Sequence, residues 1–306
     1  MKKAFPILAV LTALFLAYTF YQALWVAPTD AAQGDVYRII YYHVPSAWTA
    51  FLLFFINFLA SVHYLASPKE STRRAAKWIV LGVGVIGALV PFVPAVQQWL
   101  HKIGMYPSSA ATTALMIPAL YFLIGKFFHG QELDVLAVTT AEVGLVFCSI
   151  VLITGPIWAR PVWGIWWAPA DIRLNSTLVL WLIYASYLVL RRFSDGEQGH
   201  MLAAVLAVFG ALDVPLVYFS IWFFRTQHPQ PVIGGGGSIH PRMLQVLLLS
   251  WMAFLCFAFL LCWSRYHLER LRRELEAAYA SESLEGVTDV ERQRGATSLP
   301  LNRGAR

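Results

Sequence analysis

Apolar residues in this chain come in long unbroken runs separated by short polar stretches, rather than alternating or following one face of a surface helix. A helix that crosses a bilayer needs about 20 mostly apolar residues. Eight segments meet that length: Pro6–Val26, Ser46–Ala66, Ala76–Leu100, Ala110–Phe128, Asp134–Trp158, Leu174–Leu190, Met201–Phe224 and Met243–Trp263. The pattern predicts an all-α, polytopic transmembrane bundle of about eight spans. Pro91 and Pro94 predict a break or kink in the third. The first run follows Lys2 and Lys3, as a secretory leader would. It exceeds the roughly 7–15 residues of a leader's apolar core, and no small-x-small cleavage site follows, so it reads as a retained anchor helix.

Charges in the connections set an orientation. Lys2 and Lys3, then Lys69, Arg73, Arg74 and Lys77, then Arg191 and Arg192, and finally the Arg-rich stretch from Arg265 all fall on one side of an eight-span chain. Positive residues favour the cytoplasm, which puts both termini there and turns the first, third, fifth and seventh connections outward. A six-span chain would also have both termini inside, so orientation does not fix the count. The expected organisation is a membrane domain over 1–270 and a polar, largely irregular cytoplasmic tail over 271–306.

Composition agrees. Only 13% of residues are charged and 58% are hydrophobic, against about 25% charged in soluble domains. The net charge of +6 is explained by the inward loops, so no nucleic-acid partner is implied and the bilayer is the expected environment. Cys148, Cys256 and Cys262 sit inside apolar runs without metal-like spacing, which argues against a disulfide framework or zinc site.

One segment carries the candidate chemistry. Residues 158–174 read W-A-R-P-V-W-G-I-W-W-A-P-A-D-I-R-L, with Trp158, Trp163, Trp166 and Trp167 close together on the outward side. Trp favours membrane interfaces, but four of them with Pro and Gly interrupting a simple helix suggest an aromatic platform for a large flat ligand. The histidines sort by side. His63, His129, His200 and His267 fall at cytoplasmic ends, while His43, His101, His228 and His240 fall outward with the tryptophans. Two neutral imidazoles, such as those of His43 and His228, can ligate iron from opposite faces of a porphyrin. Arg38 and Arg173 suit its propionates through charge-assisted bonds. His240 is a rival for His228, although next to Pro241 a capping role is the commoner one.

The same residues resemble a known family. W-G-I-W-W followed by D-I-R-L is similar to the tryptophan-rich WWD signature of the cytochrome c assembly proteins, and V-Y-R-I-I-Y-Y-H-V-P-S-A-W and V-P-L-V-Y-F-S-I-W-F-F-R-T-Q-H resemble that family's two outward histidine motifs. Together they look most like the CcmC branch. The resemblance implies transient binding of haem b with His43 and His228 as axial ligands. It also implies a haem-binding loop of Trp158, Trp163, Trp166, Trp167, Asp171 and Arg173, with Arg38 helping to hold haem. It implies no catalysis, but delivery at the outer face of a bacterial inner membrane to a membrane-anchored periplasmic haem chaperone (CcmE-like). ATP-binding-cassette subunits (CcmA/CcmB-like) and a small single-span subunit (CcmD-like) would act beside it.

Three features depart from the family's pattern. The usual W-W-x-W-D reads W-W-A-P-A-D, Asn175 stands where Thr commonly follows R-L, and residues 68–135 read as a two-span insertion into a six-span core.

Other readings stay open at this level. A haem synthetase-type (CcsA-like) assembly protein would share the site, although I-R-L after Asp171 lacks that branch's charged residues. A secondary solute transporter would centre on Asp213, an intramembrane carboxylate beside Pro215 that must face the bundle interior. A haem transporter proper would need inward ligands, for which His63 is the candidate. The run Gly234–Gly237 reads as a flexible linker after His228 rather than a phosphate loop, because it lacks the Lys and the strand–loop–helix context.

Overall fold

The computed structural model describes residues 4–194, 196–224, 226–229 and 239–297. The Gly234–Gly237 linker lies outside the described residues. The helices are α1 (Ala4–Tyr21), α2 (Ile40–Ala66), α3 (Glu70–Leu89), α4 (Pro94–Lys102), α5 (Pro107–Phe127), α6 (Gln131–Trp163), α7 (Ile172–Phe193), α8 (Gly196–Ala211), α9 (Asp213–Phe223) and α10 (Pro241–Thr297). Among the described residues eight helical segments are long and apolar enough to cross a membrane, and they match the eight expected runs. The chain divides into two compact units, Met1–Cys262 and Trp263–Arg306. In the second, Glu269 pairs with Arg273 at 3.1 Å and Arg272 at 3.4 Å, the i,i+4 and i,i+3 spacings that stabilise an isolated helix. Helix α10 runs to Thr297, through much of the stretch expected to be irregular.

Prolines decide where the runs break. The third ends at Leu89, a 3-10 turn covers Val90–Phe92, and α4 starts afresh with Pro94 in its first turn, where a missing N–H costs no helical bond. Pro215 cannot donate to the carbonyl of Ala211, and the seventh run divides into α8 and α9 there. Elsewhere helices pass through proline. Pro156 and Pro161 lie inside α6, which ends only where Gly164 takes a left-handed φ of 76° and returns its N–H to the Arg160 carbonyl at 3.1 Å. The helix therefore runs on past its expected end at Trp158 and takes in Trp163, which the sequence placed in an irregular stretch. Pro45 likewise lies inside α2, so His43 sits in the helix rather than ahead of it.

The centre of the bundle is the antiparallel pair α2 and α6, with α7 and α8 against it. Phe54 stacks on Tyr184 with ring centroids 3.7 Å apart, and Gly144 of α6 makes room for that stack. A Cβ at Gly144 would stand 2.7 Å from the Phe54 ring. Asn57, fully buried, donates to the Ala137 carbonyl at 2.7 Å and fixes the α2–α6 register at the far end. Close by, Asp134 holds Arg191 through two bonds of 2.6 and 2.7 Å, with His200 at 3.3 Å. A buried carboxylate and guanidinium satisfy each other in this bidentate fashion. His63 stacks on Tyr121 at 3.6 Å and lies 2.7 Å through Nε2 from its carbonyl, next to Gly125, so α5 packs closely on that imidazole.

Candidate functional site at the tryptophan end of the bundle

The opposite end of the α2–α6 pair carries His43. Its Nδ1 lies 2.8 Å from the hydroxyl of Thr154, one helix across. His228 lies in the segment after α9, with Nδ1 3.1 Å from the Pro229 carbonyl. The two imidazole centroids are 6.5 Å apart and their planes are inclined by 31°. Two imidazoles bonded end-on to one metal at about 2.0–2.1 Å place their centroids about 6 Å apart, so the separation suits a shared iron. In both rings Nδ1 has a neighbouring oxygen, which leaves Nε2 as the natural ligand atom. Burial, the Arg173 charge and the neighbouring His43 hold the His228 pKa well below 6.5, outweighing the Pro229 carbonyl. The ring is therefore neutral at physiological pH, the form that ligates metals.

Arg173, in the first turn of α7, projects its charge onto both histidines. Its Nη1 is buried and makes no hydrogen bond among the described residues. A buried guanidinium donor without an acceptor is costly, and a carboxylate at this point would satisfy it. Two imidazoles and one buried guanidinium donor thus stand together at this end of the bundle, a donor set that could serve an anionic, iron-bearing ligand.

The four tryptophans do not form one platform. Trp158 lies 6.3 Å from His228, and Trp163 meets Trp158 edge-on at 4.9 Å. The Trp158 indole donates to the Gln33 side chain at 2.8 Å. Trp167 instead donates to Asn175 at 3.2 Å, while Asn175 donates to the Pro169 carbonyl at 2.7 Å, closing the loop onto α7. Trp166 is 59% exposed. Asp171 is buried, and among the described residues its carboxylate bonds backbone N–H groups rather than either histidine. Its Oδ1 caps α7 by accepting from Leu174 at 3.1 Å, and its Oδ2 accepts the backbone N–H of Gln227 at 2.8 Å.

Arg38 is engaged within the protein. It donates to the carbonyls of Ala23 and Ala27 at 2.8 and 2.9 Å, to Asp35 at 2.8 Å and to Thr29 at 3.2 Å. It thereby closes the π-helical turn Gln22–Val26 at the end of α1 and holds the loop that presents Gln33 to Trp158. His240 caps α10, accepting the Arg242 N–H on Nδ1 at 3.2 Å, and that bond puts the neutral ring's proton on Nε2. Asp213 stands at the α8–α9 break, and its Oδ2 has no hydrogen-bond partner among the described residues. Thr154, Gln33 and Gln227 were not legible as site residues, because each acts through a contact with a segment distant in sequence.

A family model described as CcmC, heme exporter protein C, matches residues 1–98 and 105–281. The match runs through most of 68–135, so the α3–α5 hairpin, read from the sequence as an insertion, lies within the span of the family. Similar proteins include heme exporter protein C of Bradyrhizobium diazoefficiens, 28% identical over 275 residues, covering 89% of this chain and 79% of the relative. Heme exporter protein C of Escherichia coli K12 is 26% identical over 251 residues, covering 82% and 77%. A putative cytochrome c biosynthesis ccmC-like mitochondrial protein of Marchantia polymorpha is 28% identical over 239 residues, covering 78% and 75%.

Proposed function

The chain belongs to the CcmC, heme exporter protein C, family, and from that membership we propose that it binds haem and hands it on during c-type cytochrome biogenesis, as a binding and delivery protein rather than a catalyst. The carrying observation is the pair His43 and His228, 6.5 Å apart, with the buried, unpartnered Nη1 of Arg173 close enough to act on both. Haem, when bound, supplies an iron with two axial positions and a carboxylate edge. His43 and His228 hold the iron through Nε2. Arg173 takes a propionate. Trp158 and Trp163, packed next to His228, would supply aromatic contact to the macrocycle, with Trp166 and Trp167 on the adjoining loop. Asp171 acts by tethering the chain next to His228, and Arg38 by holding the loop behind Trp158.

The basic residues Lys69, Arg73, Arg74, Lys77, Arg191 and Arg192 lie at the far end from this site. By the positive-inside rule that end is cytoplasmic, which turns the site toward the outer leaflet of a bacterial inner membrane. From there the exposed Trp166 edge is open to a membrane-anchored haem chaperone, with ATP-binding-cassette and small single-span subunits as accessory partners. The absorption spectrum of the purified chain beside His43→Ala and His228→Ala tests the reading. A Soret band in the wild type that is lost or shifted in both variants is expected. A haem-free wild type from a haem-producing host would overturn the reading and turn attention to Asp213 and solute transport.

A further inference from the structure

We infer that Thr154 is a positioning residue that fixes the tautomer of His43, so that Nε2 carries a bare lone pair before any ligand arrives; the functional meaning of this rests on the haem reading above. A threonine hydroxyl has one proton and two lone pairs. The Thr154 hydroxyl lies 2.7 Å from the Ile150 carbonyl, one turn back in α6, and 3.4 Å from that of Val151. Both are acceptors only, so the single hydroxyl proton goes to the backbone. The same oxygen lies 2.8 Å from His43 Nδ1 and has only lone pairs to offer there. Nδ1 must therefore be the donor, and in a neutral imidazole the proton on Nδ1 leaves Nε2 unprotonated.

The contact is set by the α2–α6 register. His43 meets Thr154, Phe54 meets Gly144 and Asn57 meets Ala137 along one antiparallel seam. The next residue, Gly155, comes close to the same ring, since a Cβ there would stand 3.5 Å from His43 Cε1. The imidazole is thus held by a hydrogen bond on one nitrogen and lined by backbone beside it. A ligating histidine that donates its second N–H is both oriented and made more basic, and removal of such a partner typically lowers metal affinity about 10–100-fold. His228 has a different arrangement, a backbone carbonyl next in sequence, so the two ligands are held with unequal stiffness.

The test uses the full chain in detergent with 15N-labelled histidine. His43→Ala identifies the His43 signals in the haem-free protein. The wild type and Thr154→Ser are expected to show the Nδ1–H form, and Thr154→Val a mixture of tautomers. In haem titrations Thr154→Val is expected to bind about 10–100-fold more weakly, with a more positive reduction potential, and Thr154→Ser to restore both. An Nε2–H form of His43 in the wild type would overturn the inference, as would a Thr154→Val chain with wild-type affinity and potential. The tautomer is read without haem, so an Nδ1–H wild type that takes up no haem supports the Thr154 contact while refuting the haem-binding reading.

Discussion

Asp171 accepts the backbone N–H of Gln227 at 2.8 Å, one residue before His228. The aspartate of the tryptophan-rich signature is thus tied to the residue before a histidine that lies 57 positions later in the chain. Its other oxygen caps α7. Asp171→Asn separates the two tasks, because Asn caps helices about as well as Asp while its amide offers a single acceptor. Haem occupancy per chain should fall, with little change in the thermal midpoint. Equal occupancy in the variant and the wild type would remove Asp171 from the positioning of His228.

Arg173 supplies a donor, not a ligand. Arg173→Gln should therefore lower haem retention through purification while leaving the Soret maximum where the two histidines put it. A charge-assisted bond of this kind contributes about 1.5–3 kcal/mol, so a loss of about tenfold to a hundredfold in affinity is expected. A shifted Soret maximum would mean that Arg173 instead controls the axial ligands.

The His228 pKa is held well below 6.5 by burial and by Arg173. Its contribution is fully present above the ordinary histidine value and is lost as pH falls through the depressed one. Haem retention should stay level as pH falls through 6.5 and decline only at lower pH. Soret amplitude followed from about pH 8 to about pH 4 reads this directly. A midpoint at or above 6.5 would contradict the depressed value.

Gly144 is needed for space, since an added Cβ would stand 2.7 Å from the Phe54 ring stacked on Tyr184. Gly144→Ala should overpack this seam at a cost of about 1–3 kcal/mol. A lower thermal midpoint in detergent is the expected result. Because α2 carries both Phe54 and His43, weaker haem binding should accompany it, whereas an unchanged midpoint would show that the seam yields easily.

The all-helical class, the eight spans and the gathering of His43, His228 and the tryptophans at one end were readable in the sequence. Long apolar runs have few alternatives in a bilayer, and an alternating chain path brings every second connection to the same side. The resemblance of three motifs pointed to the family that the comparison then matched. Helix ends were less legible, because proline breaks a helix in some contexts and rides within it in others. Pro91, Pro94 and Pro215 coincide with breaks, whereas Pro45, Pro156 and Pro161 do not.

Residue types alone determined what chemistry was possible: imidazoles for a metal, guanidinium for an anion, indoles for a flat apolar face. Which of them cooperate depended on contacts between segments far apart in the chain. Arg38 and Arg173 looked equivalent as propionate partners, yet Arg38 is engaged by the end of α1 and its following loop while Arg173 keeps a buried donor available. His228 and His240 looked like rivals, yet His240 caps α10 and His228 stands beside His43. Thr154 looked like one hydroxyl in an apolar run until the α2–α6 register set it against His43. A side chain's hydrogen-bonding capacity is written in its identity, but its partners are set by helix register and packing, and only the folded chain decides those.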